Sequence, residues 1–124
     1  HQQKENNMWI ASKFGFFSIV RKGEDQFHVR ARVRTDLENL LFAVDLDEKI
    51  HESDLSDYKY RLVVGHDAVR KITSALVETL DYPNFKNQIA ETPSQEHKLG
   101  AYHQIWEIMY GEQLWEREIS STNF

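Results

Sequence analysis

Three arginines at alternate positions, Arg30, Arg32 and Arg34, are the residues of this chain best arranged for chemistry. In extended backbone successive side chains point to opposite faces, so this spacing puts three guanidinium groups on one face, about 7 Å apart. Each guanidinium offers forked donors that match the paired oxygens of a phosphate or carboxylate. Arg61, with Lys59 nearby, joins the row if its strand neighbours theirs. The functional reading of Arg30, Arg32, Arg34 and Arg61 is that they hold an anion. The favoured reading is a solvated face whose arginines pair with acidic residues between Asp45 and Asp57, where exposed ion pairs contribute little. Charge distribution bears on the choice. From Lys13 to Arg34 six basic residues stand against Glu24 and Asp25, whereas Asp45 to Asp57 holds six carboxylates against Lys49.

Other chemistries fit less well. Phe14, Phe16, Tyr58 and Tyr60 lie near the arginines and would stack bases, but no aromatic RNA-binding strand motif is present and the same rings serve as core. A formal net charge of −5 further disfavours general affinity for nucleic acid or an anionic membrane. His66-Asp67 looks like a metal-binding dipeptide without the further ligands a site needs, and Asp67 better suits a helix start. His103 and Glu107 are spaced i, i+4, which supports a helix more often than it builds a site. Asn84-Phe85-Lys86 suits a recognition patch, although Phe85 closing a core is the favoured reading. No serine elbow, phosphate-cradling loop, dinucleotide fingerprint or calcium-loop spacing occurs, so no catalytic nucleophile, metal or cofactor is expected.

The elements that would position these residues follow from periodicity. Trp9 to Lys13 and Phe16 to Lys22 read as strands separated at Gly15, and Gly23 to Asp25 as a turn. Phe27 to Arg34 alternates apolar with polar, which predicts one strand with Phe27, Val29, Ala31 and Val33 inward. Thr35 and Glu38 have capping-box spacing, and Leu37, Leu40, Leu41 and Val44 form one helical stripe. A short edge strand is expected near Ile50, then a strand from Tyr58 to Val64 with Tyr58, Tyr60, Leu62 and Val64 on one face. A helix over about Ala68 to Leu80 would turn Val69, Ile72, Leu76 and Leu80 inward, with Asp67 as its cap. Beyond Pro83, a turn or two of helix from Asn84 to Ala90 leads to a long helix opened by Pro93 and Ser94. Its seam is Leu99, Tyr102, Trp106 and Met109, with Trp106 expected in the core.

Arg30, Val33 and Asp36 recur 31 residues on as Arg61, Val64 and Asp67, so the chain reads as two hairpin-then-helix units. The expected fold is α+β: an antiparallel sheet of about four strands, a relative of the ferredoxin-like arrangement, with helices on one face and a long C-terminal helix. With 124 residues, a single domain from Met8 to Ile119 is expected. His1 to Asn7 contains no apolar side chain and is read as a tag-derived or disordered extension, and Ser120 to Phe124 as a frayed tail. Absence of cysteine excludes disulfides and thiolate sites and suits a reducing cytosol. Without an apolar run long enough to span a bilayer, a cytoplasmic location is expected.

Met8-Trp9, Phe14-Gly15-Phe16-Phe17-Ser18, Val29-Arg30-Ala31-Arg32, Asp57-Tyr58-Lys59-Tyr60-Arg61, Asp81-Tyr82-Pro83-Asn84-Phe85-Lys86 and Tyr102-His103-Gln104-Ile105-Trp106 together resemble a family of small uncharacterised bacterial proteins with no established activity. The resemblance covers nearly all of Met8 to Gln113. It implies a stand-alone bacterial domain and carries over no catalytic residue. The leading expectation is a non-enzymatic binding or regulatory module whose basic sheet face meets an acidic protein segment or a phosphorylated small molecule. The alternatives are an enzyme acting on a small anionic substrate with His28 or His103 as acid or base, and a homodimer or larger homo-oligomer that buries an aromatic helix face.

Overall fold

The aromatic and β-branched stretches at the start of the chain form an antiparallel meander of β1 (Asn6–Ser12), β2 (Gly15–Gly23) and β3 (Gln26–Ala31). The computed structural model describes residues 6–122 and divides into two units, His1–Pro83 and Asn84–Phe124. In the first unit β3 also pairs antiparallel with β5 (Tyr60–Val64), and the two-residue β4 (His51–Glu52) pairs with β5 on its far side. The strand order is β1-β2-β3-β5-β4. Helices α1 (Arg34–Val44) and α2 (His66–Glu78) pack on one face. Their stripes Leu37, Leu40, Val44 and Val69, Ile72, Leu76 meet Phe17, Ile19, Phe27, Val29, Ala31 and Leu62 of the sheet. The architecture is thus α+β, with an antiparallel sheet, helices on one face and a long C-terminal helix. It has one strand more than the two hairpin units alone supply.

Several boundaries differ from expectation, each for a non-local reason. β3 stops at Ala31, and Val33 is the residue preceding α1 and 36% exposed rather than inward. The early helix start lets Asp36, only 1% exposed, accept a hydrogen bond from Phe16 N at 3.2 Å. Asn39 Nδ2 donates to Phe14 O at 3.1 Å and ties the same helix to the β1–β2 turn. The Thr35/Glu38 capping box does not form; the residue at the cap, Val33, makes no side-chain bond, and Glu38 pairs with Arg34 at 3.7 Å. At α2 the expected cap Asp67 gives way to Asp25, whose carboxylate accepts from His66 N at 2.8 Å across the fold. Because α2 ends at Glu78, Leu80 is 63% exposed instead of inward.

In the second unit α3 (Phe85–Glu91) is capped by Asn84, whose Oδ1 accepts from Asn87 N at 3.0 Å. A 3₁₀ turn (Glu96–Lys98) leads into α4 (Leu99–Thr122). Phe85 packs edge-on against Tyr102 with ring centroids 5.0 Å apart, and Ile89, Gln95 and Tyr102 are buried. The expected seam is covered only at its start. Trp106 and Met109 are 52% and 61% exposed, so Trp106 is not a core residue. Asn6 and Asn7 pair with Arg21 and Val20 in β1, and α4 runs through Ser120 to Thr122. The remainder of the expected extension and tail, residues 1–5 and 123–124, lies outside the described residues. No helix among those described is long and apolar enough to cross a membrane.

Candidate functional site

Register places the two arginines of the internal repeat against each other, because Arg30 on β3 is the direct partner of Arg61 on β5. Ser18 on β2 is Arg30's other neighbour, so Trp9, Ser18, Arg30, Arg61 and His51 form one row across the sheet. Alternation turns this row away from the core face that carries Phe17, Val29 and Leu62. Like charges directly opposite on neighbouring strands repel, so an Arg–Arg register pair needs compensation.

Neutral groups are among the partners of both arginines. Arg30 Nη2 donates to Ser18 Oγ at 2.8 Å, and its guanidinium lies 4.6 Å from the Tyr58 ring centroid. Arg32, exposed just beyond the end of β3, approaches the same ring at 4.2 Å and donates from Nη1 to Asp57 O at 2.9 Å. Tyr58 is buried between these contacts and lies ahead of β5, so it does not share a face with Tyr60 as the alternation suggested. Arg61, half-buried, donates to Ser56 Oγ and lies 3.2 Å from His28 Nδ1. Because a guanidinium only donates, His28 Nδ1 accepts and its proton is assigned to Nε2. Burial holds the His28 pKa below the ordinary imidazole range, and the positive charges of Arg61, Lys22, Arg30 and His51 push it the same way.

Part of the acidic loop expected to neutralise these arginines is engaged elsewhere. Glu52 and Asp54 take Lys59 at 3.7 and 3.3 Å, which raises the Lys59 pKa through the Asp54 hydrogen bond first, and Asp57 offers Arg32 its carbonyl. The expected rank of three evenly spaced arginines does not form. Arg30, Arg32 and Arg61 gather around Tyr58 and His28, while Arg34 sits in the first turn of α1 with Glu38. Ser18, Ser56 and the acceptor role of His28 escaped the sequence reading, which placed Tyr58 near the arginines only as a ring for stacking bases or for the core. One signal was available: Ser18 is the lone polar residue in the apolar run from Phe16 to Val20.

The remaining candidates stay local. The His66 ring packs on Phe27 with centroids 5.2 Å apart, Asp67 is exposed, and no metal-holding group of three or more His, Asp or Glu occurs among the described residues. His103 pairs with Glu107 at 3.0 Å and stacks on Trp106, all within α4. Lys86 lies 4.8 Å over the Trp106 ring, so Asn84, Phe85 and Lys86 serve the internal packing of the second unit. Comparison of the chain with protein-family models, curated proteins and solved structures finds no match among any of the three.

Proposed function

We propose that the chain is a non-enzymatic binding or regulatory module of a bacterial cytoplasm that holds an anionic group on Arg30, Arg32 and Arg61. The ligand is a phosphorylated small molecule or an acidic protein segment. The observation that carries this reading is the choice of partners around Arg61 and Arg32, which are hydroxyl, carbonyl and imidazole acceptors rather than carboxylates. Neutral acceptors orient a guanidinium and leave its charge in place. The His28 pKa is lowered first by burial, and the positive charges of Arg61, Lys22, Arg30 and His51 act in the same direction. Arg30 and Arg61 bring two positive charges together on neighbouring strands, and Arg32 adds a third from the exposed side, a charge distribution that suits the oxygens of a phosphate.

Only the native state assembles this cluster, so an anion that binds it stabilises the fold by mass action, by about 1.4 kcal/mol at ten times its dissociation constant. Denaturation in phosphate and in sodium chloride of equal ionic strength measures the difference. Wild type should gain stability in phosphate, and the double variant Arg32→Ala, Arg61→Ala should unfold at the same midpoint in both salts. Equal gains in wild type and double variant would reject the reading. An acidic peptide titrated in place of phosphate separates the two ligand classes.

A further inference from the structure

Arg61 is half-buried, and its hydrogen-bond partners among the described residues are Ser56 Oγ, Tyr58 O and His28 Nδ1, with no carboxylate among them. Of these acceptors only the imidazole takes up a proton near neutral pH, since a hydroxyl and a carbonyl do not. The contact of 3.2 Å between Arg61 Nη1 and His28 Nδ1 therefore exists only while that nitrogen is bare. A proton on Nδ1 turns the acceptor into a donor and sets an imidazolium against a guanidinium. The surroundings do not relieve this conflict. Directly opposite His28 stand Val20 on β2 and Val63 on β5, both apolar. The charged and titratable groups that act on the ring are Arg61 on β5, Lys22 on β2, Arg30 on β3 and His51 on β4, and every one opposes a further positive charge. An oxyanion would resolve it, because its oxygens can accept from Arg61 Nη1 and from a protonated His28 Nδ1 together.

Resting on the anion-binding reading above, we propose that His28 is the proton-linked gate of that site: neutral, it occupies Arg61; protonated, it releases Arg61 Nη1 and becomes a further donor to the bound oxyanion. Proton and anion then enter as a pair, and each favours the other by the same factor. In the empty site the His28 pKa lies below its ordinary value, first through burial and then through the four positive neighbours. A bound anion moves it upward. Affinity is thus lowest above the pKa of the occupied site, rises as pH falls through it, and levels off below the pKa of the empty site. For one proton the slope is at most about tenfold per pH unit.

Sulfate is the probe, because its charge is constant between about pH 5.5 and about pH 8, a range that brackets an ordinary imidazole. Its binding to the full chain, followed by the NMR shifts of the His28 and Arg61 backbone amides at fixed ionic strength in chloride, should be about fivefold or more tighter at the lower pH. Calorimetry of the wild type in two buffers of unlike ionisation heat should show proton uptake with sulfate at that pH. In His28→Gln the amide oxygen still accepts from Arg61 but takes no proton, so the ratio of affinities should fall to about one. In His51→Gln, which removes the exposed neighbouring imidazole, the ratio should persist. A wild-type affinity that does not change with pH, or sulfate bound without proton uptake, overturns the gate and leaves anion binding standing. A ratio that survives in His28→Gln or is lost in His51→Gln overturns it as well. Absence of sulfate binding at both pH values rejects the anion-binding reading itself, and the gate with it.

Discussion

Gly15→Ala should be among the most destabilising small changes in the sheet, and the structure gives the reason. Gly15 does not adopt a positive φ, so its backbone conformation does not demand glycine. The demand is spatial: a Cβ at this position would stand 2.4 Å from both Cβ and Cγ of Asp36 and 2.8 Å from its Oδ2. Asp36 is 1% exposed and accepts from Phe16 N, so its carboxylate cannot swing aside without losing that bond in a buried place. Overpacking a core costs about 1 to 3 kcal/mol, and disrupting a hydrogen bond to a charged group costs a similar amount. The two costs overlap, because relieving one incurs the other, and we expect a loss of about 3 kcal/mol, within the range tied to buried polar disruption. At usual urea sensitivities that moves the unfolding midpoint by about 1 to 3 M. Mechanism is separated from magnitude by a double-mutant cycle with Asp36→Gly, which removes the obstructing side chain. The double variant should be more stable than the sum of the single losses allows, by about 1 to 2 kcal/mol. Additivity to within about 0.5 kcal/mol would refute the steric account, since residues that clash must couple.

Two further outcomes follow from single contacts. Asp25→Ala removes the acceptor for His66 N at the start of α2 and should cost about 1 kcal/mol, the usual value of a helix cap, whereas Asp67→Ala should cost less; chemical denaturation of both variants checks the order. His28 has a folded pKa below the unfolded value of about 6.5, so the unfolded chain binds more protons between those two values. Its contribution to stability is therefore complete above about pH 6.5 and falls as pH drops through the folded pKa. An NMR titration of the His28 imidazole should show a midpoint below that of a free imidazole, moved upward by phosphate; a midpoint above about 6.5 without added anion would contradict the geometry.

Elements governed by local periodicity were legible in the sequence. Alternation located Phe27, Val29, Ala31, Leu62 and Val64 on the core face, and the three-four spacing found the buried stripes of α1 and α2. Their ends were not legible, because distant residues set them. The acceptor for His66 N is Asp25, 41 positions earlier, and α1 starts where it lets Asp36 reach Phe16, 20 positions earlier. A capping box is a local rule, and here contacts of higher sequence separation outweighed it. Trp106 failed for a different reason. Its seam is genuine helical periodicity, but periodicity reports that a face is apolar and does not say what covers it.

The shift of one boundary also explains the form of the candidate site. Had β3 continued to Arg34, three guanidinium groups would have stood in an evenly spaced row open to solvent, each more than a hydrogen bond's length from the next. Ending the strand at Ala31 frees Arg32 from the pleat and lets it meet the ring that Arg30 already touches, with Tyr58 within 4.6 Å of both. Each cation–π contact contributes about 0.5 to 2 kcal/mol, more as the ring is desolvated, and that gain offsets the repulsion of gathering the charges. Arg34, two residues farther on, is carried onto α1 and given a carboxylate. The same helix start that buries Asp36 therefore divides the basic stretch into a convergent group of arginines and a neutralised one. Anion binding, if it resides on this sheet, must depend on Arg30, Arg32 and Arg61 and be indifferent to Arg34.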